Sequence, residues 1–353
     1  MVGRAQVRTG LDELIASDWK LLAGRRVGLI TNQTGVTLKG ELGASLMAHA
    51  KTFTLAAIYA PEHGLAGTRP AGVASDARET FEGVPVYSLY GSTRRPTKAM
   101  LRGIDILVFD IQDVGVRPYT FVSTMLLSME VASAQHLPFI VLDRPDPLGG
   151  ERIEGNIVKP DLISFVGQAP VPYIHGMTLG ELARMAKAKG WFAKADQLRL
   201  TVVPMHGWKR SMCWSATGRV WVAPSPNVPR FENAVGLAML GAIGELGVLS
   251  VGIGSDLPFL RFGTTLIPSE AMPNLTQDLW RTSPTLRDSL AAHGGLPFAL
   301  HVEEYTATTS AGTKTYHGCR MELPRWRDRD VYREMPESIE ELYTPQFRLL
   351  EAV

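Results

Sequence analysis

Five short apolar runs in the first 150 residues constrain this chain more than any other feature. They are RVGLIT (26–31), TLAAIYA (54–60), VPVYSL (84–89), DILVFDI (105–111) and PFIVLD (138–143). Most are continuously apolar rather than alternating, as strands buried on both faces of a parallel sheet must be. Helices are expected between them, around 40–51, 96–103 and 119–136. A chain that alternates in this way is α/β, with a doubly wound parallel sheet. At 353 residues it is long enough for a second domain. The Pro- and Gly-rich DRPDPLGG (143–150) is the expected boundary, giving domains 1–150 and 151–353. The second half is mixed. MTLGELARMAKAKGW reads as a helix with Thr178 and Glu181 in capping-box spacing, LRLTVVPM as a strand, and PNVPRFENAVGLAMLGAIGEL as another helix, so a smaller α+β domain is expected there.

Parallel strands place their carboxyl ends on one edge, where ligands of open α/β sheets bind. Here those ends carry chemistry. The first strand runs into Thr31, Asn32, Gln33 and Thr34, and the second into Glu62 and His63. The fourth continues as DIQDVGVRPYT, with Asp110, Asp113, Arg117 and Tyr119, and the fifth ends in Asp143 and Arg144. Several of these have simpler explanations: Asp113 can cap a helix, Asp143 can open a turn, and Glu181 belongs to its capping box. His175, in YIHGMT, suits a buried carbonyl as well as a ligand. Glu62 stands apart, because a carboxylate between a proline and His-Gly caps nothing.

Composition removes several function classes. The formal net charge is +1 with no lysine–arginine block, so neither nucleic acid nor an anionic membrane is an expected partner. No apolar run approaches the roughly 18 residues of a membrane span. The N-terminus has no apolar core of a secretory leader, and a cytoplasmic location is expected. Cys213 and Cys319 lack metal-ligand spacing and read as buried thiols. No dinucleotide fingerprint, Walker A motif, HExxH or GxSxG elbow occurs, so no cofactor is expected. A cation between Asp110 and Asp113 is the alternative chemistry, since hard cations prefer carboxylate oxygens.

GLITNQTGV, APEHGLAG, DIQDVGVRPYT, VLDRPDPLGG, IHGMTLGELA and VAPSPNVP, in this order over roughly residues 25 to 230, resemble the exo-β-N-acetylmuramidases of the NamZ family, glycoside hydrolase family 171. The resemblance implies a Rossmann-like domain, an auxiliary domain closing an active-site cleft, and release of N-acetylmuramic acid from the non-reducing end of peptidoglycan fragments. It makes Glu62 the catalytic carboxylate and adds Asn227 to the sugar-binding set. Where the family reads close to EGTNxSxGRGTxxPFE, this chain has ELGVLSVGIGSDLPFL (245–260), with Ile253 and Leu260 in place of Arg and Glu. That loop is therefore expected to face a more apolar substrate.

Glycoside cleavage commonly pairs a general acid with a second carboxylate. Glu62 is the expected acid, oriented by His63 and the Asp110–Asp113 segment, and Asp110, Asp113 and Asp143 compete for the second role. Asn32, Gln33, Tyr119, Asp143 and His175 are expected on the sugar, and Arg117 and Arg144 suit the planar lactyl carboxylate of muramic acid. The partner the resemblance implies is thus a small muropeptide-derived sugar, and the expected activity that of a wall-recycling glycosidase. A sugar-binding relative without catalysis and a metal-assisted hydrolase are the competing readings.

Overall fold

The computed structural model describes residues 6–75, 79–247, 249–266, 268 and 299–323. The chain divides into two compact units, Met1–Pro226 and Asn227–Val353.

The first unit is a seven-stranded sheet with helices on both faces. In chain order it contains α1 (Gly10–Ala16), β1 (Arg26–Thr31), α2 (Gly43–Ala48), β2 (Thr54–Ala60), β3 (Glu79–Phe81), β4 (Val84–Ser88), β5 (Ile106–Asp110), α3 (Thr120–Ala134), β6 (Phe139–Leu142), α4 (Leu179–Lys189) and β7 (Leu200–Val203). The sheet order is β3-β4-β2-β1-β5-β6-β7, all parallel except β3, which pairs antiparallel with β4. From β1 the chain winds first toward β4 and then, after β5, toward β7. The order therefore reverses between β1 and β5, which is where a crevice opens in such sheets.

Strand alternation builds two apolar layers. Tyr59, Phe109 and Phe139 join Phe121, Met125 and Leu182 on one face. Their strand neighbours Ile58, Val108 and Ile140 join Leu11, Leu14 and Met47 on the other. Burial on both sides explains why the strands are continuously apolar.

Three sequence expectations need adjustment. Residues 98–103 form hydrogen-bonded turns rather than a helix. Pro96 before them and Gly103 at φ 82° at their end leave too few residues to repay helix nucleation. Helix α1 was not expected, because its apolar positions Leu11, Leu14 and Ile15 span little more than one turn. The DRPDPLGG stretch is buried throughout and lies inside the first unit, because β7 and α4 complete the layers that residues before 150 leave open.

The second unit contains α5 (Phe231–Glu245), β8 (Arg261–Thr264), β9 (Ala299–Thr309) and β10 (Gly312–Glu322), the strands forming an antiparallel sheet in the order β8-β10-β9. Leu260 is a core residue here, 5% exposed, with its carbonyl accepting from Met321 N–H at 2.8 Å. It packs on α5, where a Cβ added at Gly236 would meet Leu260 Cδ2 at 3.2 Å. The expectation that Leu260 faces substrate is thereby corrected. Ile253 is 38% exposed. Both cysteines are buried. Among the described residues no helix is long and apolar enough to cross a membrane.

Candidate active site

Glu62 lies two residues past the end of β2 and is 7% exposed. The chain turns sharply beyond it, with His63 at φ 70° and Gly64 at φ 78°. A left-handed conformation is uncommon for a histidine. It is held by closure of the loop: His63 Nδ1 lies 2.7 Å from the Arg69 carbonyl, to which it donates, and Arg69 N–H returns to the His63 carbonyl at 3.2 Å. The loop then folds back so that Gly72 N–H donates to Glu62 Oε1 at 2.8 Å. Thr120, opening α3, donates its hydroxyl to Glu62 Oε2 at 2.7 Å. The Tyr90 hydroxyl beyond β4 also reaches Glu62; its pKa is raised by burial first and by the neighbouring carboxylate second. Glu62 is thus anchored from three directions. A threonine hydroxyl can donate to a carboxylate or accept from a carboxylic acid, so this anchor serves both protonation states.

The TNQT segment after β1 packs beside that loop. Asn32 is fully buried, and its Oδ1 accepts from Thr34 N–H at 3.0 Å and Thr34 Oγ1 at 2.5 Å. Thr34 Oγ1 in turn accepts from Gln112 N–H at 2.9 Å, tying the β1 and β5 ends together. Gln33 donates to the Ala223 carbonyl at 2.7 Å and lies against Gly67, where a Cβ would sit 1.8 Å from Gln33 Nε2. No side chain fits there. Asn32 Nδ2, Gln33 Oε1 and Gln112 Oε1 are buried without a protein partner among the described residues. Buried polar atoms in that condition cost free energy unless a ligand or water meets them.

The competing aspartates separate clearly. Asp110 is clamped by Arg144, whose Nε and Nη2 reach its two oxygens at 2.6 and 3.0 Å. Arg144 also donates twice to the Val36 carbonyl at 3.2 Å, and both members of the pair are buried. Asp143 caps α4: its Oδ1 accepts from Gly180 N–H at 2.8 Å and its Oδ2 from Thr178 Oγ1 at 3.0 Å. Burial nevertheless pushes its pKa up to about 6. Asp113 Oδ2 accepts from Gly115 N–H at 2.9 Å, whereas its Oδ1 is buried and unpartnered. Desolvation pushes Asp113 up to about 7.

Asp113 belongs to a cluster that the sequence showed only in part. His175 Nε2 lies 3.9 Å from Asp113 Oδ2, and His175 Nδ1 lies 3.8 Å from Asp146 Oδ2. Because Met177 N–H donates to His175 Nδ1 at 3.2 Å, the ring proton sits on Nε2, toward Asp113. Burial pulls His175 down to about 4 and holds Asp146 well above the usual carboxylate range. Burial thus favours the neutral imidazole over the imidazolium. Tyr119 feels both Asp113 and Glu62, and burial raises its phenol. Its hydroxyl faces Ser225.

One predicted sugar contact is otherwise engaged. Arg117 Nη1 donates to the carbonyls of Asn156 and Val171 at 2.6 and 2.7 Å, pinning the segment before α4. Asn227 opens the second unit in a turn and is half-buried. The structure also brings in residues that sequence reading passed over. Thr120 stands directly after Tyr119, Gln112 within DIQD, and Asp146 within DRPDP. For Gln112 and Asp146 the signal was a position just past a strand's carboxyl end, and for Thr120 it was the start of the helix that follows. A cation between Asp110 and Asp113 fits poorly, since Arg144 occupies both oxygens of Asp110. Among the described residues no group of three or more His, Cys, Asp or Glu could hold a metal ion.

A family model for the N-terminal part of exo-β-N-acetylmuramidase NamZ matches residues 27–232. The chain is 43% identical over 286 residues to the peptidoglycan β-N-acetylmuramidase NamZ of Bacillus subtilis (strain 168), covering 80% of this chain and 68% of that protein. A crystal structure of a DUF1343 family protein from Bacteroides fragilis NCTC 9343 superposes with a TM-score of 0.79 at 35% identity, over 99% of this chain and 84% of that one. A second DUF1343 family protein from the same organism superposes at 0.67 and 26% identity, over 94% of this chain and 80% of the other.

Proposed function

We propose that Glu62 and Asp113 carry the reaction of this chain, which belongs to the NamZ family of exo-β-N-acetylmuramidases. It is a glycosidase that releases N-acetylmuramic acid from peptidoglycan fragments. Glu62 protonates the leaving glycosidic oxygen as the bond to the sugar's anomeric carbon breaks. Asp113 is the second carboxylate, with water completing the hydrolysis. The observation that supports this pairing is one of occupancy. Asp110 is neutralised by Arg144 and Asp143 is bound to the start of α4, while Asp113 keeps one oxygen without a protein partner. His175 and Asp146 stand behind Asp113 and set its environment. Asn32, Gln33 and Gln112 offer the sugar unpartnered amide groups at the same sheet edge. Work on fragments during wall recycling suits an enzyme that removes single terminal sugars.

Replacing Glu62 by Gln keeps the size and the contacts with Gly72 and Thr120 but removes the transferable proton. General acid catalysis contributes about 10²–10⁴ in rate, so kcat on a natural disaccharide should fall by that factor with KM little changed. An activated aryl muramide, whose leaving group needs little protonation, should lose less. If Glu62→Gln cleaves the natural disaccharide at the wild-type rate, Glu62 is not the acid.

A further inference from the structure

Arg94 lies beyond β4, in the segment YGSTRRPT (90–97). Its guanidinium carbon sits 4.6 Å from the centre of the Tyr90 ring and 4.2 Å from that of Phe165, in a wedge between two rings whose centroids are 5.9 Å apart. The neighbouring Arg95 pairs with Glu130 at 2.7 Å. Arg94 has no carboxylate partner among the described residues, and its side chain is exposed. Yet it is not loose. Ring contacts engage the faces of a guanidinium and leave its in-plane N–H groups for hydrogen bonding. Two aromatic contacts thus hold a cation in place without neutralising it.

The position matters because Tyr90 connects it to the catalytic carboxylate. The Tyr90 hydroxyl interacts with both Glu62 and Arg94. Ala60 pairs with Ser88, and Leu89 N–H donates to the Ala60 carbonyl at 2.7 Å, so Tyr90 leaves β4 alongside Glu62 leaving β2. The guanidinium held on its ring therefore stands at the same sheet edge as the Glu62 carboxylate. A muramyl sugar whose glycosidic oxygen meets Glu62 carries its lactyl carboxylate on the ring carbon two positions from the anomeric one. The two arginines that the sequence nominated for this carboxylate are both engaged: Arg144 by Asp110, and Arg117 by two backbone carbonyls.

We propose that Arg94, held between Tyr90 and Phe165, binds the lactyl carboxylate of the terminal sugar and so selects muramyl over glucosaminyl ends. This rests on the muramidase reading above. The pairing is planar and bidentate, for which arginine is suited and lysine is not.

The test compares N-acetylmuramic acid with its lactyl methyl ester, which keeps the shape and removes the charge. Binding of each to the full chain is measured by calorimetry, in the wild type, Arg94→Ala and Arg94→Lys. Charge-assisted hydrogen bonds of this kind support a wild-type preference of about 10- to 100-fold for the acid over the ester. Arg94→Ala should reduce that preference to within about threefold, and Arg94→Lys should retain only part of it. Hydrolysis of 4-nitrophenyl muramide and of its ester is followed in parallel, where Arg94→Ala should act mainly through KM. An Arg94→Ala protein that still prefers the acid as strongly as the wild type overturns the proposal, whatever its catalytic rate. A wild type that binds the acid selectively through Arg94 but hydrolyses neither glycoside leaves this inference standing and refutes the glycosidase roles of Glu62 and Asp113 instead.

Discussion

Arg144→Met discriminates a structural arginine from a sugar-binding one. Both side chains of the Asp110–Arg144 pair are 2% exposed, and the guanidinium donates to both oxygens of Asp110. Removing one member of such a pair leaves a carboxylate buried without its counter-charge, which costs about 3–5 kcal/mol. Val36 adds little to that cost, since its carbonyl still accepts from Arg219 Nη2 at 2.9 Å. At about 2–4 °C per kcal/mol for a unit of this size, the thermal transition should fall by roughly 10 °C. The double variant Asp110→Asn/Arg144→Met removes both charges and should recover most of the loss, to within about 1–2 kcal/mol of wild type. Differential scanning calorimetry of the wild type, both single variants and the double variant gives the coupling directly. A melting temperature within about 2 °C of wild type for Arg144→Met, with loss of muramyl-glycoside affinity, would refute the structural assignment and return Arg144 to the sugar site.

Further outcomes follow from burial. Asp113 has its pKa raised to about 7, above the unfolded value of about 4, so the folded state binds the extra proton between those limits. Stability should therefore decline as pH rises from about 4 to 7 and then level off. Asp113→Asn, which is always neutral, should lack that part of the decline; parallel melting-temperature profiles for the two proteins would contradict it. If Asp113 must ionise for catalysis, wild-type kcat/KM should also rise through about pH 7. Leu260→Glu, which restores the residue usual in the family, should destabilise the second unit by several kcal/mol by burying a carboxylate, read in urea unfolding. Ile253→Arg, at an exposed position, should leave the unfolding midpoint unchanged.

The sheet was legible in the chain because its strands are buried on both faces. Between their end residues RVGLIT, TLAAIYA, ILVFD and FIVL carry no charged group, and continuous apolar runs of that length between helices permit few alternatives. The parallel arrangement followed, and with it the convergence of Asn32, Glu62, Asp113 and Asp143 on one edge. What each of these groups does there depended on partners far away in sequence. Asp110 and Asp113 are indistinguishable in DIQD, yet one meets Arg144, 34 residues on, and the other meets His175. The arginines divided in the same way: Arg117 and Arg144 lie within quoted motifs, but carbonyls and a carboxylate occupy them, whereas Arg94 is left for a ligand. The buried DRPDPLGG stretch shows the same limit, because proline and glycine shape a tight internal turn as readily as a linker. Local chemistry determines which groups a strand end offers. Only the packing of distant segments decides which of them keep a charge, a proton or an open oxygen.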